Sequence, residues 1–111
     1  MPLTRDFKAT VQARIRRDPA FRKALLRDGV QCLISGELDA GKAILRDYIN
    51  ATIGFETLGH LTDKSTKSLM RMLGPNGNPT ARNLIEMIGC LQKAEGLRFE
   101  LSTKSQRAAR A

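Results

Sequence analysis

Tryptophan is absent from this chain of 111 residues, aromatic side chains make up only 5% of it, and histidine occurs once. Any core must therefore be aliphatic, built from Leu, Ile, Met and Ala. The two cysteines, Cys32 and Cys90, are too few for a disulfide framework. Together with His60 they do not make the four-ligand set of a zinc site. Each cysteine stands beside a leucine, Leu33 or Leu91, on the apolar face of a predicted helix, which reads as a small reduced core residue. No apolar run approaches the ~20 residues needed to cross a bilayer. No signal-peptide pattern opens the chain either, so no membrane partner and a cytoplasmic setting are expected. A phosphate-cradling glycine-lysine loop, an HExxH motif and a paired-acid motif are all missing. His60 follows Glu56 by four residues, an ordinary surface pairing on one helix face. Neither an enzyme nor a bound metal or cofactor is expected.

Acid is the scarce charge. Nineteen Lys+Arg stand against eleven Asp+Glu, a formal net charge of +8. Such an excess points to a polyanionic partner, because every Lys or Arg brought to a phosphate releases a counterion. The length allows one small domain with one modest core.

Residues 5–17 are strongly basic, with Phe7, Val11 and Ile15 four apart on one predicted helical face. Arg14, Arg16 and Arg17 read first as a solvated face, with contact to DNA or an acidic partner as the other readings. Asp18 is a good cap and Pro19 suits the first helical position. The helix that follows turns Phe21, Leu25, Val30, Cys32 and Leu33 inward and ends at Ser35-Gly36. Another begins near Glu37, turns Ala40, Ile44, Leu45, Tyr48 and Ile49 inward, and is expected to end at Gly54 as a left-handed cap.

From Ile53 to Ile88 the pattern gives two short helices around a tight turn, a loop, and a longer amphipathic helix. The first short helix buries Phe55, Leu58 and Leu61. Its Gly59 costs about 1 kcal/mol against Ala, a cost that close approach of a second helix would explain. Ser65 caps the second helix, on which Leu69 and Leu73 anchor inward while Lys67, Ser68 and Arg71 point outward. The segment 74–79 holds two glycines and two prolines and cannot be helical. Thr80 caps the last helix, whose Leu84, Met87, Ile88 and Leu91 repeat at helical spacing until Gly96. Beyond it Leu97, Phe99 and Leu101 alternate with polar residues, the pattern of a strand over 97–103 with one buried face. It has no mate in its own chain, so pairing with a second subunit or another protein's sheet edge is expected. A basic tail closes the chain over 104–111.

This is a helix-turn-helix arrangement in a positively charged chain, built to place its second helix in the major groove. Arg71 is suited to a bidentate contact with guanine. Lys64, Ser65, Thr66, Lys67, Ser68, Asn76, Asn78 and Thr80 complete the candidate DNA-binding set, with Lys64, Asn78 and the backbone at Thr80 read as phosphate contacts. Asn76, Gly77 and Asn78 are turn residues in any case.

Residues 54–80, 27 of the 111, resemble the lambda-repressor-like addiction-module antidotes, the HigA-like antitoxins. The resemblance rests on Gly54, Phe55, Leu58-Gly59, Ser65, Leu69, Arg71, Leu73 and the run Gly77-Asn78-Pro79-Thr80. Asp63-Lys64 departs from the glycine and hydrophobic residue usual in that family's turn. Asp tolerates a left-handed conformation, and the Lys64 stem can cover apolar surface while its ammonium reaches a phosphate. The resemblance implies an all-α fold of five or six helices with a lambda-repressor-like helix-turn-helix. It also implies an autorepressor that binds double-stranded DNA, and a RelE/HigB-like ribonuclease toxin as partner. The expected organisation is a single domain over 1–111, with N-terminal helices to residue 53 and the helix-turn-helix unit over 54–96. A homodimer is expected, joined through Leu97, Phe99 and Leu101. The alternative readings are an antidote acting mainly by binding its toxin, and a stand-alone phage-type repressor.

Overall fold

The computed structural model describes residues 2–106, with side chains from residue 7 onward; residues 107–111 of the expected basic tail lie outside them. Six helices follow one another: α1 (Pro2–Arg17), α2 (Pro19–Ile34), α3 (Leu38–Ala51), α4 (Gly54–Thr62), α5 (Thr66–Met72) and α6 (Ala81–Glu95). The fold is all-α among the described residues.

The punctuation read from composition sets the boundaries. Asp18 accepts the Phe21 amide at 3.1 Å with Pro19 in the first turn of α2. That amide, helped by Arg14, holds the Asp18 carboxyl below its ordinary range. Ser65 caps α5 by accepting the Ser68 amide at 3.0 Å, and Thr80 caps α6 by accepting the Asn83 amide at 3.1 Å. Gly96 ends α6 in the left-handed region at φ 73°.

One core runs through all six helices, with Ile15, Leu26, Leu45, Leu58, Leu69 and Leu91 among its fully buried members. Each such side chain contributes about 1.5–3 kcal/mol of burial. Both cysteines are free and half-buried.

Five expectations fail locally. Phe7 is 67% exposed, because α1 meets the core only toward its C-terminal end, where Ile15 is fully buried. On α2 the expected inward residues Phe21, Leu25, Val30, Cys32 and Leu33 are only half-buried, and the buried stripe facing α3 runs through Leu26 and Gly29. On α3 Ala40 is exposed and Lys42 is buried. Helix α3 stops at Ala51, and Gly54, at φ 82°, opens α4 rather than closing α3. Leu61 is 58% exposed, because the inward stripe of α4 runs 55, 58 and 59.

The expected C-terminal strand does not form among the described residues. With no mate in the chain, the segment turns back on its own domain. The Leu97 amide donates to the Gln92 carbonyl at 3.0 Å, and the Phe99 amide donates to Gln92 Oε1 at 2.7 Å. Leu97 and Phe99 lie beside Ala20 and Ala24 of α2, and Phe99 packs on the core. Leu101 alone of the three is left open, at 83% exposure.

Candidate nucleic-acid interface

Helices α4 and α5 are joined by the three residues 63–65. Asp63 is the one non-glycine residue with positive φ among the described residues, at φ 57° and ψ 44°. A short polar side chain is the kind that tolerates this region. Its neighbour Gly59 shows why the two helices can approach so closely. A Cβ there would fall 2.6 Å from the Lys64 carbonyl oxygen, an impossible contact with backbone.

The inner side of α5 is fixed by Leu69 and, just past its end, Leu73, both fully buried. Its outer side leaves Lys67 and Arg71 exposed, with Thr66 and Ser68 half-buried. Neither Lys67 nor Arg71 has an acidic partner among the described residues. Their cationic heads therefore meet water or a ligand, without competition from a carboxylate.

Two cations from α3 hold the far end of α5. The Lys42 ammonium, 3% exposed as a side chain, donates to the carbonyls of Gly74 at 2.9 Å and Gly77 at 2.8 Å. Arg46 donates to the Leu73 carbonyl at 2.9 Å. Helix C-termini carry unpaired carbonyls and partial negative charge, so cations there are favourable. The loop 74–80 is thereby tied down, with Asn76, Asn78 and Thr80 at its surface. Sequence reading missed both cations. The signal was present: Lys42 shares a helical face with the buried Leu45 and Ile49, where a solvated lysine does not belong.

The remaining candidates divide. The Ser65 and Thr80 hydroxyl oxygens already accept capping amides, so each has its O–H to offer a phosphate. Lys64 is paired, its ammonium 2.9 Å from Glu86 Oε1 on α6 and its side chain only 24% exposed. Its charge is answered within the chain. His60 is exposed and makes no ion pair with Glu56 among the described residues. No group of three metal-ligating side chains comes together among the described residues, and no helix is long and apolar enough to cross a membrane. No family model, curated protein or solved structure matches this chain.

Proposed function

We propose that the chain is a sequence-specific DNA-binding regulator of transcription, with α4 and α5 as a lambda-repressor-like helix-turn-helix and α5 entering the major groove. The observation that carries this reading is the mounting of α5. Leu69 and Leu73 hold its inner face, the Ser65 cap holds its start, and Lys42 with Arg46 holds its end, while Lys67 and Arg71 stand free outward. A rigidly presented basic helix in a chain of net charge +8 suits base readout backed by phosphate attraction. The resemblance of residues 54–80 to addiction-module antidotes supports the narrower role of antitoxin and autorepressor, acting as a homodimer in the cytoplasm. A RelE/HigB-like toxin would then be the protein partner, and co-purification with the neighbouring gene product tests for it.

Fluorescence anisotropy with the chain's own promoter duplex should show clear preference over a scrambled duplex. Arg71→Ala should cost about 1–3 kcal/mol and relax the preference at one base position. Equal affinity for both duplexes would end the regulator reading.

The Lys64–Glu86 pair makes a second expectation possible. Glu86→Gln releases the Lys64 ammonium to a phosphate, so affinity for a half-site duplex, which a single copy occupies, should rise on specific and scrambled sequences alike. The slope of log K against log salt should steepen by roughly one unit. An unchanged slope would take Lys64 out of the interface.

A further inference from the structure

Helix α6 carries a glycine in its middle, at a cost of about 1 kcal/mol against Ala, and nothing among the described residues asks for it. A Cβ at Gly29, Gly41 or Gly59 would fall 3.0, 2.6 or 2.6 Å from a neighbouring element, so packing explains each of those. At Gly89 nothing lies within 4 Å of that position. The surface beside it is apolar where a solvated helix would be polar. Ile85, one turn earlier, is 68% exposed, and Leu61 at the end of α4 is 58% exposed. With Gly89 and Cys90 they line a groove of about 340 Å³, bordered by Thr62, Asp63, Glu86 and Lys93.

We propose that this face docks a second copy of the chain, with α6 antiparallel to α6 across a two-fold axis at Gly89. The missing side chain lets the two backbones approach where they cross. In that register each Ile85 lies four residues before the axis and covers the aliphatic stem of Lys93 in the second copy.

Charge selects the antiparallel direction. Acid stands before Gly89, at Glu86, and base after it, at Lys93. Antiparallel pairing therefore brings unlike charges together twice, and parallel pairing brings like charges together. Glu86 Oε1 accepts the Lys64 ammonium, which leaves Oε2 for the Lys93 ammonium of the second copy. Arg82 falls opposite the uncharged Gly96 and meets no repulsion. Residues 97–101 stay on their own domain, as the Gln92 bonds already hold them. The inference deepens the DNA-binding reading by naming the second copy that a two-fold operator requires. It is measured without DNA, so either reading can fail alone.

The experiment is sedimentation velocity of the full chain at micromolar concentration in the absence of DNA. The unaltered chain should be a dimer. Ile85→Lys should raise the dimer dissociation constant on the order of a hundredfold, since it sets an ammonium against Lys93 of the second copy, twice across the axis. The site is largely exposed, and an unchanged helical circular-dichroism signal would show that the fold survives. Asn50→Glu, exposed on α3 and outside the groove, should leave the dimer intact. In a Cys32→Ser, Cys90→Ser background, Gly89→Cys should oxidise to a covalent dimer, because on-axis Cα atoms fall within the bridging range of about 4.4–6.8 Å. A monomeric unaltered chain, an Ile85→Lys dimer of undiminished affinity, or failure of Gly89→Cys to cross-link would each overturn the inference.

Discussion

Gly77→Ala should lower the unfolding free energy by about 3 kcal/mol or more, a fall in melting temperature on the order of 10–20 °C. A Cβ at this position would sit 2.1 Å from the Arg71 carbonyl oxygen and 2.4 Å from that of Met72. Both are backbone atoms at the end of α5, so no side chain can turn aside to make room. The loop would have to lift away, and the Gly77 carbonyl would then leave the Lys42 ammonium it accepts from at 2.8 Å. The buried ammonium would be left with Gly74 and the Asp39 carboxylate, 3.6 Å away, and losing one acceptor of a buried charge is costly. The cause is close approach, since Gly77 is not among the glycines with positive φ. Asn, which relieves left-handed backbone, should therefore rescue nothing at this site. Thermal unfolding followed by circular dichroism measures both variants. A loss below about 1 kcal/mol for Gly77→Ala would show that the loop shifts without consequence, and that it does not brace α5.

The parts of the fold that could be read in advance are those set by local chemistry. Asp18, Ser65 and Thr80 announced helix starts because a side-chain oxygen placed before an apolar-periodic run has one obvious use. Gly59 announced a close approach because an internal helical glycine needs a reason. Leu69 and Leu73 inward, with Lys67 and Arg71 outward, follows from helical period alone. What could not be read depends on where elements meet. Whether Phe7 finds a surface to cover is decided by how far α1 extends past the core. That Lys64 would meet Glu86, 22 residues later, is invisible to any window of sequence. The alternation of Leu97, Phe99 and Leu101 fits a strand and equally fits an extended segment laid along a helix. Gln92 and the exposed edge of α2 decided between them. Lys42 is legible in principle, because it shares the face of α3 that carries Leu45 and Ile49, where a solvated lysine does not belong.

Glu95→Ala should cost about 3–5 kcal/mol, the penalty for removing one partner of a buried ion pair. Glu95 is the last residue of α6, where helix polarity disfavours an acid. It is accepted there because Arg22 Nε donates to both its oxygens, at 2.9 and 2.8 Å, with the two side chains only 20% and 7% exposed. The Tyr48 hydroxyl donates to Glu95 Oε1 as well. The guanidinium also donates to the carbonyls of Ile15 and Arg16, at 3.1 and 3.2 Å. One carboxylate thus joins the end of α1 and the start of α2 to α3 and α6. The same cluster makes a pH-dependent expectation with a definite sign. Burial, and next the bond to Glu95, push the Tyr48 phenol above its ordinary value of 10.0. The folded chain therefore holds that proton more tightly than the unfolded chain does. This contribution is fully present below pH 10.0 and is lost as pH rises from there through the raised folded value. Tyr48→Phe should cost about 1 kcal/mol at neutral pH and should flatten the alkaline fall in stability relative to the unaltered chain. Urea unfolding at neutral and at strongly alkaline pH measures both effects. If Tyr48→Phe lost stability with pH as steeply as the parent, the phenol would not be held by this cluster. Were Glu95→Ala as stable as the parent, Arg22 would be satisfied by the two carbonyls alone.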